Sequence, residues 1–411
     1  MKAVVFTLGC KVNSCESASL CSGLEKLGYE VYEELCYADL YIINTCAVTN
    51  EAEKKSRQAV ARVLKLNKDA KVIITGCASE KDAFSFLNKK GVTVVTGTKN
   101  KDKILSLLES QGAFIQKHDD IFDELLPPKT VKTRAFVKIQ DGCNNFCSYC
   151  IIPYLRGRSR SRNPINIVEE INGLKVNEIV LTAINLSSYD YNGVKLNNLI
   201  DMLKEVGVRI RLGSLEDNVV NEEFLISLKN LKNFAPHFHL SLQSGSDEVL
   251  KKMNRRYTSA QFLESVNLIR KYFADASITT DVIVGFPTET EEDFLKTLSL
   301  CERAKFADIH CFNYSKREGT VASKYPEIDG QVKKERLNKL INLKQVLKDE
   351  FIKDNLEAVR QVVIEEFDGV YSQVYTENYI KAYIKGDYTN KILKVTLKEG
   401  YLDGVLAQIK E

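Results

Sequence analysis

"RAFVKIQDGCNNFCSYCIIP", residues Arg134 to Pro153, is the stretch whose reading decides the fold. Seven residues of strand character run through Asp141 into Gly142 and then into Cys143, Cys147 and Cys150. Apolar runs of the same kind recur downstream as "EIVLTAINL", "RIRLGSL", "HFHLSLQSG", "ITTDVIVGF" and "ADIHCFNYS". Helical patterns such as "INIVEEINGLK" and "TEEDFLKTLSLCERAK" separate them. This alternation predicts a parallel α/β arrangement, and six units in place of the usual eight predict a partial (β/α)6 barrel, open on one side. The cysteines then stand at the carboxyl end of its first strand, where such barrels carry their chemistry.

Upstream, "AVVFTLGC", "LYIINTC", "KVIITGC" and "VTVVTGT" alternate with the amphipathic stretches "ESASLCSGLEKLGYE" and "EAEKKSRQAVARVLKL". Near-continuous apolar strands predict an open parallel sheet covered on both faces, over residues 1–125. The acids and prolines of "DDIFDELLPPKT" read as a linker. The barrel unit spans 126–354 and ends in an amphipathic helix, Gln331 to Asp354. Residues 355–411 alternate apolar and polar positions between turn signals, which predicts a small antiparallel β-barrel or sandwich. The fold class is α/β with three domains.

The chain has 411 residues, 44% hydrophobic and 27% charged, a composition that supports several cores. No apolar run approaches the roughly 20 residues needed to span a bilayer. The start, "MKAVVFTLGC", reads as a buried first strand, and a cytoplasmic location is expected. In a reducing compartment, eleven cysteines argue for metal binding or catalysis over disulfides. Cys21, Cys36, Cys301 and Cys311 read as plain thiols.

A net charge of +3 makes no case for a nucleic-acid partner, but its distribution does. Between Lys129 and Arg162 stand eight basic residues (Lys129, Lys132, Arg134, Lys138, Arg156, Arg158, Arg160 and Arg162) against Asp141 alone, a local +7 that attracts a polyanion. The last 57 residues hold seven basic and nine acidic side chains. RNA binding there must use particular lysines and base stacking on Tyr371, Tyr375, Tyr379, Tyr383 and Tyr388.

The C-x3-C-x2-C spacing supplies three soft thiolate ligands, which select zinc or iron–sulfur. Zinc wants a fourth ligand, and the chain has only four histidines; a [4Fe–4S] cluster with one iron open to an exogenous ligand fits three cysteines better. A second set, Cys10, Cys46 and Cys77, closes three of the N-terminal strands. Parallel strands deliver those ends to one edge, so residues far apart in sequence converge. Gly9 and Gly76, each just before a cysteine, allow close backbone approach. Asn185, Glu216, Gln243, Ser244, Asp281 and Tyr314 lie at or near the carboxyl ends of barrel strands and are candidate functional residues.

The cysteine loop, with Tyr149 before its last Cys, resembles the signature of radical S-adenosylmethionine enzymes. "TLGCKVN", "NTCAVT", "TGCASE", "IQDGCNNFCSYCIIPYLRGRSRSR", "SLQSGSDEVLKKMNRRYT" and "TTDVIVGFPTETEEDF" extend the resemblance over nearly the whole chain, to the methylthiotransferase family. The tail matches in position the TRAM-like RNA-binding module of that family. The resemblance implies two [4Fe–4S] clusters, held by Cys143, Cys147 and Cys150 and by Cys10, Cys46 and Cys77. It also implies two molecules of S-adenosylmethionine, one a methyl donor and one the source of a 5′-deoxyadenosyl radical. A methylthio group would replace a C–H hydrogen, with sulfur passing from the open iron of the second cluster. Tyr149, Asn185, Glu216, Gln243 and Asp281 form the expected cofactor-binding set, and no catalytic residue is expected beyond the cluster ligands.

"LGCKVN" and "IIPYLRGRSRSR" look most like the branch that acts at C2 of N6-threonylcarbamoyladenosine, next to the anticodon of tRNA. The alternatives are N6-isopentenyladenosine in tRNA, a ribosomal-protein aspartate or, in another class, a nonenzymatic metal-stabilised RNA-binding protein. The implied partners are tRNA, an electron donor such as flavodoxin or ferredoxin, and a sulfur donor, with no membrane and the chain acting as a monomer. Arg156, Arg158, Arg160 and Arg162 are the expected RNA contacts. Arg255 is expected to receive a carboxylate of substrate or cofactor, which a planar guanidinium binds bidentately. Ala183, Asp217, Thr288 and Cys15 depart from the residues usual at their positions in the family.

Overall fold

Strands Lys2–Thr7, Glu30–Tyr32, Leu40–Thr45, Lys71–Gly76, Val92–Thr96 and Gly112–Phe114 form an all-parallel sheet in the computed structural model. The model describes residues 1–128, 133–389 and 391–410, so Lys129 and Lys132 of the basic window lie outside the described residues. Successive side chains of a strand point to opposite faces. Accordingly Val4, Ile43, Val72 and Ile74 pack on Ala59, Val60 and Val63 of helix Asn50–Leu66. Ala3, Val5, Ile42 and Ile73 pack on Leu20 and Leu24 of helix Lys11–Lys26. The two three-residue strands, Glu30–Tyr32 and Gly112–Phe114, escape the sequence reading because an edge that short carries no period.

The central unit has six parallel strands: Arg134–Asp141, Glu178–Ala183, Arg209–Leu212, His237–Gln243, Ser277–Val284 and Asp308–Asn313. Its wall thins between the third and fourth, which communicate through the short strand Ser214–Leu215 and a single bridge from Ile210 to Phe234. Among the described residues no pairing joins the first strand to the sixth, so the barrel is open there, as the strand count predicts. Helix Gly330–Asp354, capped by Asp329, runs along the sixth strand and leads to a closed five-stranded barrel. Its strands are Val359–Phe367, Tyr371–Thr376, Lys381–Lys385, Ile392–Tyr401 and Gly404–Ile409. Tyr371–Thr376 was not expected from the sequence, although its alternate residues Ser372, Val374 and Thr376 are buried.

Two ionic joints set the three units against each other. Glu16, on helix Lys11–Lys26, is fully buried between Lys101, Lys138 and Arg156. At the opposite mouth of the barrel, buried Glu178 binds Arg134, Arg209 and Arg211. Arg209 and Arg211 then donate to the carbonyls of Gln361, Thr376 and Glu377 in the small β-barrel. Burial opposes the charge on Glu178, yet the three guanidiniums hold its carboxyl down at about 2. No helix among the described residues is long and apolar enough to cross a membrane.

Candidate active site

Three adjacent strands of the N-terminal sheet carry the first cysteine set. Thr45 pairs with Gly76, so the next positions, Cys46 and Cys77, leave the sheet side by side. Gly9 has a positive φ (108°), and a Cβ there would lie 2.7 Å from Cys46 Cβ and 2.8 Å from its Sγ. Gly76 (φ 106°) is as confined, 2.4 Å from the Thr45 carbonyl oxygen. Glycine at both places is what lets the loops bearing Cys10, Cys46 and Cys77 close on one another. Asn13 ties them: its amide donates to the carbonyls of Leu8 (2.7 Å) and Thr45 (3.0 Å), and its Oδ1 accepts from Arg156 (2.8 Å).

Burial pushes the Cys77 thiol up to about 11, against the pull of the Arg156 guanidinium. Arg156 itself lies in the fields of Glu16, Cys77, Asp141 and Cys10, and its buried Nε has no hydrogen-bond acceptor. Three thiols beside an unsatisfied cationic donor suit an iron–sulfur group, whose cation displaces the thiol protons and whose sulfur atoms accept hydrogen bonds.

The second set sits on the loop after strand Arg134–Asp141. Gly142 (φ 70°) has the Arg158 carbonyl oxygen 1.9 Å from where a Cβ would be, which excludes every other residue. Asn254 donates to the carbonyls of Asn145 and Phe146, both at 3.1 Å, and so clamps the loop from the "KKMNRRYT" segment. Arg255 reaches Cys147 Sγ at 3.3 Å and Glu216 at 3.0 Å. Glu216 also accepts from Asn145 (2.6 Å) and Asn185 (3.2 Å), while Asn185 reaches Cys143 Sγ at 4.0 Å. Burial pushes Cys150 up to about 12. Three thiols with a guanidinium alongside fit a cluster of net negative charge. The carboxylate and amides around them offer the polar contacts that an amino-acid moiety needs.

Of the expected cofactor set, Asn185 and Glu216 join this network. Tyr149 packs on Val249, Met253, Phe286 and Tyr314, with its phenol raised by burial. Gln243 adopts a left-handed backbone (φ 67°) where the pairing of the fourth and fifth strands slips. Asp281 does not belong with them. It faces the barrel lumen and binds His239 (3.2 Å) and His310 (3.0 Å), which hold its carboxyl well below the usual range although burial opposes this. These three residues bring potential metal-donor atoms within 4.8 Å of one another, but the carboxylate is already satisfied by both imidazoles. Ser244 and Tyr314 serve the scaffold: Ser244 bonds Thr297, and Tyr314 is buried against Phe286.

A cavity of about 740 Å³ fills the lumen. Its walls combine Gly9, Cys10 and Lys11 with His239, Asp281 and His310, and with Tyr375, Tyr379 and Lys381 of the small barrel. Cys10 thus opens on this space, while Cys46 and Cys77 are buried. Sequence reasoning passed over Lys11, His239 and His310. The spacing of "HFH" in a chain with four histidines could have drawn attention to His239, but nothing in the sequence marks Lys11 or His310.

The basic loop is corrected by the structure. Arg156 and Arg160 are buried on Glu16 and Asp141, and Arg162 on Glu124 and Glu170. None of the three is available to a phosphate, because each is committed to an internal carboxylate. Arg158 is exposed, its guanidinium 4.5 Å from the Phe146 ring centroid. Arg255 is likewise engaged, by Glu216 and Cys147. Tyr379 stacks on His237 and Tyr375 on Tyr379 at the joint between the barrels, which leaves Tyr371 and Tyr388 half-exposed among the tyrosines considered for bases.

A cysteine loop at the carboxyl mouth of an open six-stranded barrel defines a radical S-adenosylmethionine protein, and the radical SAM superfamily matches residues 137–301. Residues 2–97 match the uncharacterized protein family UPF0004. The threonylcarbamoyladenosine tRNA methylthiotransferase MtaB of Bacillus subtilis (strain 168) is 38% identical, over 98% of this chain and 95% of its own. The tRNA-2-methylthio-N(6)-dimethylallyladenosine synthase of Thermoanaerobacter sp. (strain X514) is 36% identical, over 87% of this chain and 81% of its own. Among solved structures, the radical S-adenosylmethionine methyltransferase TsrM from Kitasatospora setae shares the fold with a TM-score of 0.58 at 15% identity, over 76% of this chain and 74% of its own. The chain belongs to the radical S-adenosylmethionine methylthiotransferase family and is an enzyme of that kind. Membership of the radical SAM superfamily implies S-adenosylmethionine and a [4Fe–4S] cluster.

Proposed function

We propose that the enzyme methylthiolates C2 of N6-threonylcarbamoyladenosine in tRNA, next to the anticodon, with two [4Fe–4S] clusters. The observation that carries this reading is the convergence of Cys10, Cys46 and Cys77 on three neighbouring strand ends, with Cys10 opening on the lumen cavity. The similarity to MtaB from three bacteria, at 36–38% identity, supports the substrate. Cys143, Cys147 and Cys150 would hold the cluster that supplies the electron for reductive cleavage of S-adenosylmethionine. Glu216, oriented by Asn145, Asn185 and Arg255, receives the ammonium of the amino-acid moiety. Asn254 and Gly142 keep the loop rigid. The lumen shields the reacting base from water, and the setting of the three units fixes its path to Cys10. An electron donor of the flavodoxin or ferredoxin class, a sulfur donor and a cytoplasmic setting complete the reading.

Mass spectrometry of tRNA nucleosides tests it. Cells without the gene should lose the 2-methylthio derivative of threonylcarbamoyladenosine and keep that of isopentenyladenosine; the reverse pattern would reject the assignment. The reconstituted protein should hold about eight irons per chain. Replacing Cys143, Cys147 and Cys150 with Ala should abolish cleavage of S-adenosylmethionine and leave about four irons.

A further inference from the structure

Lys11 follows Cys10 directly and is the first residue of helix Lys11–Lys26. Its side chain enters the lumen cavity, within the fields of Arg134, Arg211, Glu178 and Asp281. The two carboxylates in range are spent elsewhere, Glu178 on three arginines and Asp281 on two imidazoles. Lys11 has neither a hydrogen bond nor an ion pair among the described residues. Elsewhere on the cavity wall, Lys381 is paired with Asp403 at 3.1 Å, and Asp308 with Lys344 at 3.0 Å. Lys348, on the long helix, is the other lining cation without a carboxylate partner among the described residues.

An ammonium that opens on the cavity with no protein partner is placed to pair with a ligand that brings a negative charge. That ligand must reach the part of the wall formed by Cys10. A threonylcarbamoyl group on adenosine N6 ends in a carboxylate, whereas a dimethylallyl group carries no charge. We propose that Lys11 determines substrate specificity by pairing its ammonium with the free carboxylate of the N6-threonylcarbamoyl side chain. This rests on the substrate reading above and assigns the role expected of Arg255 to a different residue, since Arg255 is held by Glu216 and Cys147. The site therefore selects N6-modified adenosines that bear an anionic tail, and holding the tail at Lys11 orients the base toward its neighbour Cys10.

The test uses the full-length reconstituted enzyme and two anticodon stem-loop RNAs. One carries N6-threonylcarbamoyladenosine and the other the same nucleoside with its carboxylate capped as a methyl ester. Binding is read by fluorescence anisotropy and product by mass spectrometry. Wild-type enzyme should prefer the free acid by at least about tenfold, the scale of a charge-assisted hydrogen bond. Lys11→Gln should erase that preference by weakening only the free-acid RNA, and Lys11→Arg should retain most of it, with iron per chain equal in all three proteins. Equal binding of both RNAs by wild type, an equal loss on both RNAs in Lys11→Gln, or a loss of iron in that variant would overturn the assignment. If wild type methylthiolates the threonylcarbamoyl RNA without any dependence on Lys11, the assignment falls and the substrate reading stands. If it acts only on a dimethylallyl-bearing RNA, both fall.

Discussion

Thr288 shows how a single side chain can carry a cost that its neighbours must absorb. It sits at φ 82°, a region that β-branched residues avoid, and its hydroxyl oxygen is buried without a partner. Glycine, which tolerates a positive φ and carries no hydroxyl, would remove both penalties. Thr288→Gly should stabilise the barrel by about 1 kcal/mol, read as a rise of about 2–4 °C in Tm. Asp217, another departure, stands beside Glu216; burial and that neighbour raise its carboxyl to about 6, against the pull of Arg255. Because the folded state binds this proton more tightly than the unfolded one, stability falls as pH rises from about 4 to 6, and the cost is complete above that. Asp217→Asn should therefore raise Tm at pH 8 and leave it nearly unchanged at pH 4, by a margin reduced by partial exposure. An identical shift at both pH values would contradict the titration.

At the scale of elements, the N-terminal cysteine set depends on two glycines and one asparagine more than on the cysteines' own surroundings. A methyl group at Gly76 would meet both the backbone nitrogen and oxygen of Thr45. Gly76→Ala should separate the loops of Cys46 and Cys77 and cut iron from about eight to about four per chain, while S-adenosylmethionine cleavage persists. This layer was legible in the sequence, since apolar runs ending in Gly-Cys state both the strand and the turn. The arginine loop was not. A count of charges cannot tell a guanidinium awaiting phosphate from one that meets Glu16, a residue 140 positions upstream of Arg156. Likewise the sequence places Asp281 near a strand end, whereas it stands in the middle of Ser277–Val284, where two histidines from neighbouring strands already hold its carboxylate.

The whole molecule turns on its two buried ionic joints. At the lower mouth of the barrel, Glu178 balances three arginines that carry the small β-barrel. Glu178→Gln leaves Arg209 and Arg211 without a carboxylate partner, while Arg134 keeps Glu365, at a cost of about 3–5 kcal/mol. Limited proteolysis at neutral pH should then release the segment after residue 354, which wild type protects. The carboxyl is depressed in the folded state, so its contribution is present above its ordinary value near 4.3 and is lost as pH falls toward about 2. Wild type should become equally protease-sensitive in that acid range, and the variant should show no such step.

Arg156 has one further consequence. It lies six residues after Cys150, the last thiol of one loop, yet its guanidinium sits beside Cys77 of the other set and is locked to Asn13 and Glu16. One side chain thus acts as a strut between the two cysteine sets, tying the loop after the first barrel strand to the edge of the N-terminal sheet. The spacing between the two thiol groups is thereby set by a buried guanidinium and not by a flexible linker.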